Sequence, residues 1–191
     1  MRVIAGKYRS RVLTAPQGRY TRPTSDRLRE TLFNVLAPRI EDAVFVDLYA
    51  GCGAVGVEAL SRGAREVVFV ERAEAALRAI RANLAALGIH GGYALEAHSA
   101  TATLKRLAAG GRTAEIVFLD PPYESSDEYE TVLSLLGGEC SGLLASGAIV
   151  VAEHAKKHDL QDQYGDLARY RVLRQGDAAL SFYQIVSNAP E

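Results

Sequence analysis

Four residues, Asp120-Pro121-Pro122-Tyr123, follow the apolar run EIVFL (115–119). Two consecutive prolines remove two backbone donors and hold a stiff, extended exit from a strand. Such an exit fixes a carboxylate at Asp120 and a ring at Tyr123. The carboxylate and the Pro121 carbonyl can accept the hydrogens of a planar amino group. A nucleobase amine is a poor nucleophile because its lone pair is delocalised into the ring. Accepting its hydrogens localises that pair and stabilises the positive charge that grows on nitrogen as an electrophilic carbon arrives. Stiffness matters because the reacting atoms must align within about 3–3.5 Å. The Tyr123 ring offers a face to an extruded base, worth roughly 1–3 kcal/mol per stacked base. Asp and Pro also populate ordinary turns, so a second feature has to decide.

That feature is DLYAGCGAVGVEAL (47–60), where Gly51, Gly53 and Gly56 spell G-x-G-x-x-G between a strand and a helix. Glycines there let the backbone turn tightly and approach a ligand. Tyr49 and Cys52 lie in the same loop. Cys52 has no histidine or second cysteine nearby and reads as a small residue in a tight turn rather than a reactive thiol. Glu71, followed by Arg72, ends the next strand, where a carboxylate can accept two hydrogen bonds from a ribose diol. The loop alone serves NAD and S-adenosylmethionine equally. Asp47, four residues before Gly51, separates them. An acid suits the ammonium of a methionine moiety, whereas beside a pyrophosphate two unit charges about 5 Å apart repel by roughly 3 kcal/mol at an effective ε near 20. Asp47 has a second available role, bonding the amides of the loop.

Alternating elements must position these groups. A β-hairpin is expected in VIAGKYRSRVLTAP (3–16), then a helix from Thr24 or Ser25 that stops at Pro38. Strands follow at 44–48, 66–71, 92–98, 115–120 and 147–154, with helices at 54–63, 73–88, 99–111 and 126–137. The segment 170–186 reads as two strands turning at Gly176-Asp177. Strands alternating with helices predict an α/β fold with a mostly parallel sheet and one antiparallel strand added at the end. Ligands in such sheets bind beyond the carboxyl ends of the strands. The segment 155–170 carries no legible motif.

Bulk composition narrows the class. A chain of 191 residues with 48% hydrophobic residues can bury a core of domain size. No apolar run of membrane-spanning length occurs, and MRVIAGKYRS has no apolar signal segment. A reducing cytoplasm with free thiols is therefore expected. Cys52, Cys140 and the four histidines give no metal-binding spacing, and no metal is expected. The net charge of −1 hides an asymmetry. Residues 1–40 hold nine Lys or Arg against two acids, and the remainder is acidic. Lys7, Arg9, Arg11, Arg22 and Arg29 are candidates for gripping an anionic partner. The chain divides into a basic N-terminal extension, 1–40, and a body, 41–191.

Together, DPPY, DLYAGCGAVGVEALSRGA, RVIAGKYRSRVL, RPTSDRLRETLFNVL and ALSRGAREVVFVE resemble the bacterial family that methylates N2 of one guanine in small-subunit (16S) ribosomal RNA. The likeness is strong over 1–125 and diffuse beyond. It implies a Rossmann-like seven-stranded methyltransferase sheet, with an N-terminal hairpin and helix that help to hold RNA. It also implies S-adenosylmethionine as donor. By this resemblance Asp47, Tyr49, Gly51, Cys52 and Gly53 line the methionine and ribose side, and Glu71 with Arg72 holds the ribose. Ser99 or Ala100, where the family often has Asp, sits by the adenine. Cys52 replaces the usual Ser or Thr. Asp120, Pro121, Pro122 and Tyr123 are the catalytic motif, with Asp120 also near the donor. The substrate is 16S ribosomal RNA, naked or within a partly assembled small subunit, and nothing calls for more than a monomer. DPPY is shared with adenine-N6 methyltransferases of DNA or RNA, which keeps that activity as an alternative. An NAD-dependent oxidoreductase and a non-catalytic RNA-binding module are the remaining readings.

Overall fold

The computed structural model describes residues 1–15, 25–122 and 126–186. It falls into two compact units, Met1–Ser99 and Ala100–Glu191. The first contains α1 (Asp26–Ile40), β1 (Val44–Leu48), α2 (Ala54–Ser61), β2 (Glu66–Val70), α3 (Glu74–Ala86) and β3 (Tyr93–Glu96). Its strands run parallel in the order β3-β2-β1. All five residues of β1 are buried, as expected for a strand covered on both faces. Phe45, Phe69, Leu77 and Ile80 fill its core.

The second unit contains α4 (Ala100–Ala109), β4 (Ala114–Leu119), α5 (Ser126–Leu136), a short 3₁₀ turn, β5 (Leu144–Ala155), β6 (Gln163–Tyr164), β7 (Leu167–Gln175) and β8 (Ala178–Ile185). The order is β4-β5-β8-β7-β6, with β4 and β5 parallel and the other pairings antiparallel. Phe118, Val150, Phe182 and Tyr183 are buried in its interior.

Two expectations need correction. Among the described residues the strands number eight rather than seven, and antiparallel pairing involves β6, β7 and β8 rather than a single strand. The extra strand, β6, is only two residues long and turns back on β7 through Gly165-Asp166, with Gly165 at φ +58°. Arg169 on β7 holds that corner by donating to Asp159 and Asp162. The expected N-terminal hairpin is present: the Val3 N–H donates to the Arg11 carbonyl at 2.9 Å, the Leu13 N–H to the Met1 carbonyl at 3.0 Å, and Arg2 and Val12 form an antiparallel bridge. The amides of Ile4, Ala5, Lys7 and Tyr8 go instead to Glu58 and Ser61 of α2, as described below. Lastly, α1 continues through Pro38 to Ile40. In the last turn a proline disrupts little of the helix beyond it, since few residues remain to be held. Among the described residues no helix is long and apolar enough to cross a membrane.

Candidate active site

The turn after β1 is shaped by three backbone inversions. Tyr49, Gly51 and Gly53 have φ of +64°, +55° and +81°. For tyrosine this left-handed conformation is costly and has to be imposed by its surroundings. Two carboxylates impose order on the turn. The Asp47 Oδ2 accepts the Gly56 N–H at 2.9 Å. Gly53 is the N-cap of α2 and supplies no side-chain hydrogen bond. Asp47 therefore satisfies, from the preceding strand, an amide that a capping residue would normally take. It is 1% exposed, and its bond is to the loop that it orders. Burial pushes its carboxyl up to about 7, against the pull of the Gly56 amide and with help from the Glu71 charge.

Glu71, just past β2, fastens the other side. One oxygen accepts the Gly51 N–H at 3.0 Å, and the other accepts the Arg72 and Ala73 N–H groups at 2.8 Å each. A carboxylate has about four acceptor positions. Three are taken by backbone, which leaves room for one hydroxyl donor without displacing an amide. Arg72 is exposed. Cys52 is buried, and its thiol is pushed up by that burial, so it is poorly placed to act as a nucleophile. Gly56 serves packing instead of ligand approach. A Cβ there would lie 2.3 Å from the Phe69 ring, so glycine lets α2 sit down on β2. Past β3, Ser99 is exposed and Ala100 begins α4 with its methyl buried.

In the second unit, Asp120 leaves β4 half-buried, Pro121 is buried and Pro122 is exposed. Their order along the chain puts the carboxylate and the Pro121 carbonyl at the carboxyl end of β4, as the stiff exit requires. Tyr123 lies outside the described residues, as does Arg22.

The basic residues divide. Lys7, Arg9 and Arg11 are exposed on the N-terminal segment. Arg11 also donates to the Ala86 carbonyl at 3.0 Å, at the end of α3. Arg29 contradicts the expectation of a phosphate contact, because its side chain is 0% exposed. It donates to the Arg2 carbonyl at 2.5 Å and to Asp26 at 3.0 Å, and its Nε lies 3.8 Å from Glu58. It is an interior tie between α1, the N-terminal segment and α2.

The sequence reading missed the residues that seat this segment. Glu58 accepts the Ile4 and Ala5 N–H groups at 2.7 and 3.0 Å, and Arg62 Nε at 2.7 Å. The Ser61 carbonyl accepts the Lys7 N–H, and its hydroxyl oxygen accepts the Tyr8 N–H. A Cβ at Gly6 would fall 1.8 Å from the Ser61 carbonyl oxygen, so only glycine permits this approach. Asn83 on α3 bonds Thr14 and Cys52. The available signal was polarity on buried helix faces: Glu58 within AVGVEALS and Asn83 within an Ala- and Leu-rich helix.

Comparison with known proteins agrees with this architecture. The chain is 36% identical to ribosomal RNA small subunit methyltransferase D of Escherichia coli K12 over 184 residues, covering 96% of this chain and 89% of that protein. It is 36% identical to the protein of the same name from Haemophilus influenzae over 189 residues, covering 98% and 94%. The solved structure of Escherichia coli yhhF superposes with a TM-score of 0.83 at 35% identity, covering 97% of each chain. Residues 1–184 match the family model described as conserved hypothetical protein 95, and the chain belongs to that family.

Proposed function

We propose that this protein transfers a methyl group from S-adenosylmethionine to the N2 amine of a guanine in 16S ribosomal RNA. The observation that carries the reading is the pairing, in one chain, of a carboxylate-ordered glycine turn with an Asp-Pro-Pro exit from β4. The relatives named as small-subunit RNA methyltransferases support the substrate class.

In this reading the turn of Tyr49, Gly51, Cys52 and Gly53 cradles the methionine part of the donor, and Glu71 takes a ribose hydroxyl on its remaining acceptor position. Arg72, Ser99 and Ala100 border the adenosine. The Asp120 carboxylate and Pro121 carbonyl accept the two hydrogens of the target amine. S-adenosylmethionine, when bound there, would supply an electrophilic methyl carbon to the amine nitrogen that Asp120 and Pro121 orient, its sulfur leaving as a neutral thioether. The excess proton leaves the methylated nitrogen by way of Asp120 or water. Tyr123 stacks the base. Residues 1–40 act as an RNA-contacting extension on the 41–191 body, with Lys7, Arg9, Arg11 and Arg22 on phosphates. The enzyme works as a monomer in the cytoplasm, on 16S ribosomal RNA either naked or within a partly assembled small subunit.

The test is methyl transfer from labelled donor to unmodified small-subunit RNA, assembled subunits and DNA, followed by mass spectrometry of the nucleosides. N2-methylguanosine from a ribosomal substrate is expected. N6-methyladenine would replace this reading with the adenine-directed one.

A further inference from the structure

The N-terminal segment and the glycine turn are joined by one side chain. Asn83 lies on α3, is 1% exposed, and uses its planar amide in three directions. Its Oδ1 accepts the Thr14 N–H at 2.8 Å. Its Nδ2 donates to the Thr14 carbonyl at 2.9 Å and to the Cys52 carbonyl at 3.0 Å. Thr14 is thus clamped at two points, as a neighbouring strand would clamp it. With Oδ1 and one N–H committed to Thr14, the direction of the second N–H is fixed by the plane of the amide. That second N–H holds the carbonyl between Gly51 and Gly53.

The surrounding contacts single out this link. Glu58, Ser61 and Arg29 fasten the N-terminal segment to α1 and α2, and none of their hydrogen bonds described above reaches the glycine turn. Asp47 and Glu71 fasten the turn to its own strands. Asn83 alone among these groups bonds both. Leucine and aspartate have its shape but cannot replace it, since one lacks all polar atoms and the other lacks both donors. An amide is also incapable of titrating, so the link is indifferent to pH.

We propose that Asn83 is a positioning residue that couples the seating of the N-terminal segment on RNA to the conformation of the methyl-donor turn. This rests on the functional reading above, with the basic segment 1–14 as an RNA contact. When the segment is held, Thr14 fixes the amide plane and the Cys52 carbonyl is held with it. When Thr14 shifts, the amide rotates and the carbonyl is released, which loosens the turn that receives the donor. Linkage makes the effect reciprocal, so RNA tightens donor binding by the factor by which donor tightens RNA binding.

Two variants sever the link from opposite ends. Asn83→Asp keeps the acceptor for Thr14 and removes both donors. Thr14→Pro removes the Thr14 N–H and hydroxyl and fixes φ there, while the Thr14 carbonyl and the Asn83–Cys52 bond remain chemically possible. Amide hydrogen exchange of residues 51–53 is measured first, with no donor and no RNA present. Thr14→Pro is expected to speed exchange there at least about fivefold, and to add less than twofold in the Asn83→Asp background, because Thr14 acts through Asn83. Calorimetry with S-adenosylhomocysteine then compares donor affinity with and without saturating small-subunit RNA. Wild type is expected to gain at least about fivefold with RNA, within the usual range for coupled sites, and Asn83→Asp less than twofold. Unchanged exchange in Thr14→Pro, or additive effects in the double variant, would overturn the link. RNA tightening donor binding equally in Asn83→Asp and wild type would overturn the coupling. Failure of wild type to bind S-adenosylhomocysteine would overturn the donor reading instead, while the exchange measurement still decides the link.

Discussion

Replacing Asp47 by asparagine isolates the cost of keeping a carboxylate under the glycine turn. The group is 1% exposed and accepts the Gly56 N–H. Its folded pKa of about 7 stands above the ordinary 3.8. The sign follows from proton counting. Between pH 4 and 7 the folded protein holds a proton at Asp47 that the unfolded chain has released. Stability therefore falls as pH rises through that window, by about 1.4 kcal/mol per pH unit, and levels off above pH 7. The accumulated loss is about 4 kcal/mol. The introduced side-chain amide resembles the protonated acid and retains an oxygen for Gly56, so the variant and wild type should be close in stability near pH 4. By pH 8 the variant should be more stable by about 4 kcal/mol, a figure that already contains the stronger bond of the charged acceptor to Gly56. Urea unfolding of both proteins from pH 4 to 8.5 measures this difference, and all other titrations cancel in the subtraction. A difference independent of pH, or wild type losing stability relative to the variant on acidification, would refute the reasoning. The first result would mean that the helix N-terminus cancels burial, and the second that it outweighs burial.

Four further outcomes are expected. Glu71→Gln presents an N–H to backbone amides that need an acceptor, and should weaken donor binding by about 1–2 kcal/mol, or five- to thirtyfold, by calorimetry; an unchanged affinity would remove Glu71 from the donor site. Arg29→Met should cost about 3–5 kcal/mol in urea unfolding, since it withdraws a buried cation from Glu58, while leaving the salt dependence of RNA binding unaltered. In contrast, joint replacement of Lys7 and Arg9 by Ala should leave stability within about 0.5 kcal/mol and reduce the slope of log K against log salt by about 1.4–1.8; an equal slope would show that neither meets a phosphate. Asp120→Ala should abolish turnover in the labelled-methyl assay while S-adenosylhomocysteine still binds, and loss of that binding in a folded variant would reassign Asp120 to the donor.

Much of the fold was legible because its signals are local. The buried runs VFVDL and EIVFL gave β1 and β4 to within a residue. Gly176-Asp177 marked the turn between β7 and β8. The short strand β6 was invisible, since two residues carry no periodicity and its pairing depends on Arg169 reaching Asp159 and Asp162. The N-terminal hairpin was legible, but its seat was not. VIAGKYRSRVL pairs with itself through Val3, Ser10 and Arg11, while the Ile4, Ala5 and Tyr8 amides are taken by Glu58 and Ser61, more than fifty residues away. Arg29 looked like its basic neighbours, and only the tertiary structure shows it enclosed with Glu58. At the candidate site, residue types announced Asp47, Glu71 and Asp120, because carboxylates at strand ends are rare without a purpose. Asn83 gave only the faint sign of a polar residue in an Ala- and Leu-rich helix, since its meaning lies in distant backbone groups of Thr14 and Cys52.

The anchoring of residues 1–14 on residues 58–86 has a consequence for synthesis. The N-terminal segment is made first, but the helix faces that receive it come last among its partners. At 5–20 residues per second, the ribosome needs about 3–14 s to proceed from Thr14 to Asn83. Until α2 and then α3 have followed, Lys7, Arg9 and Arg11 lack the complete docking surface of their own chain, beside a machine built largely of RNA. The nascent segment is therefore free to meet a ribosomal phosphate before its own helices, and completion of α3 draws it home.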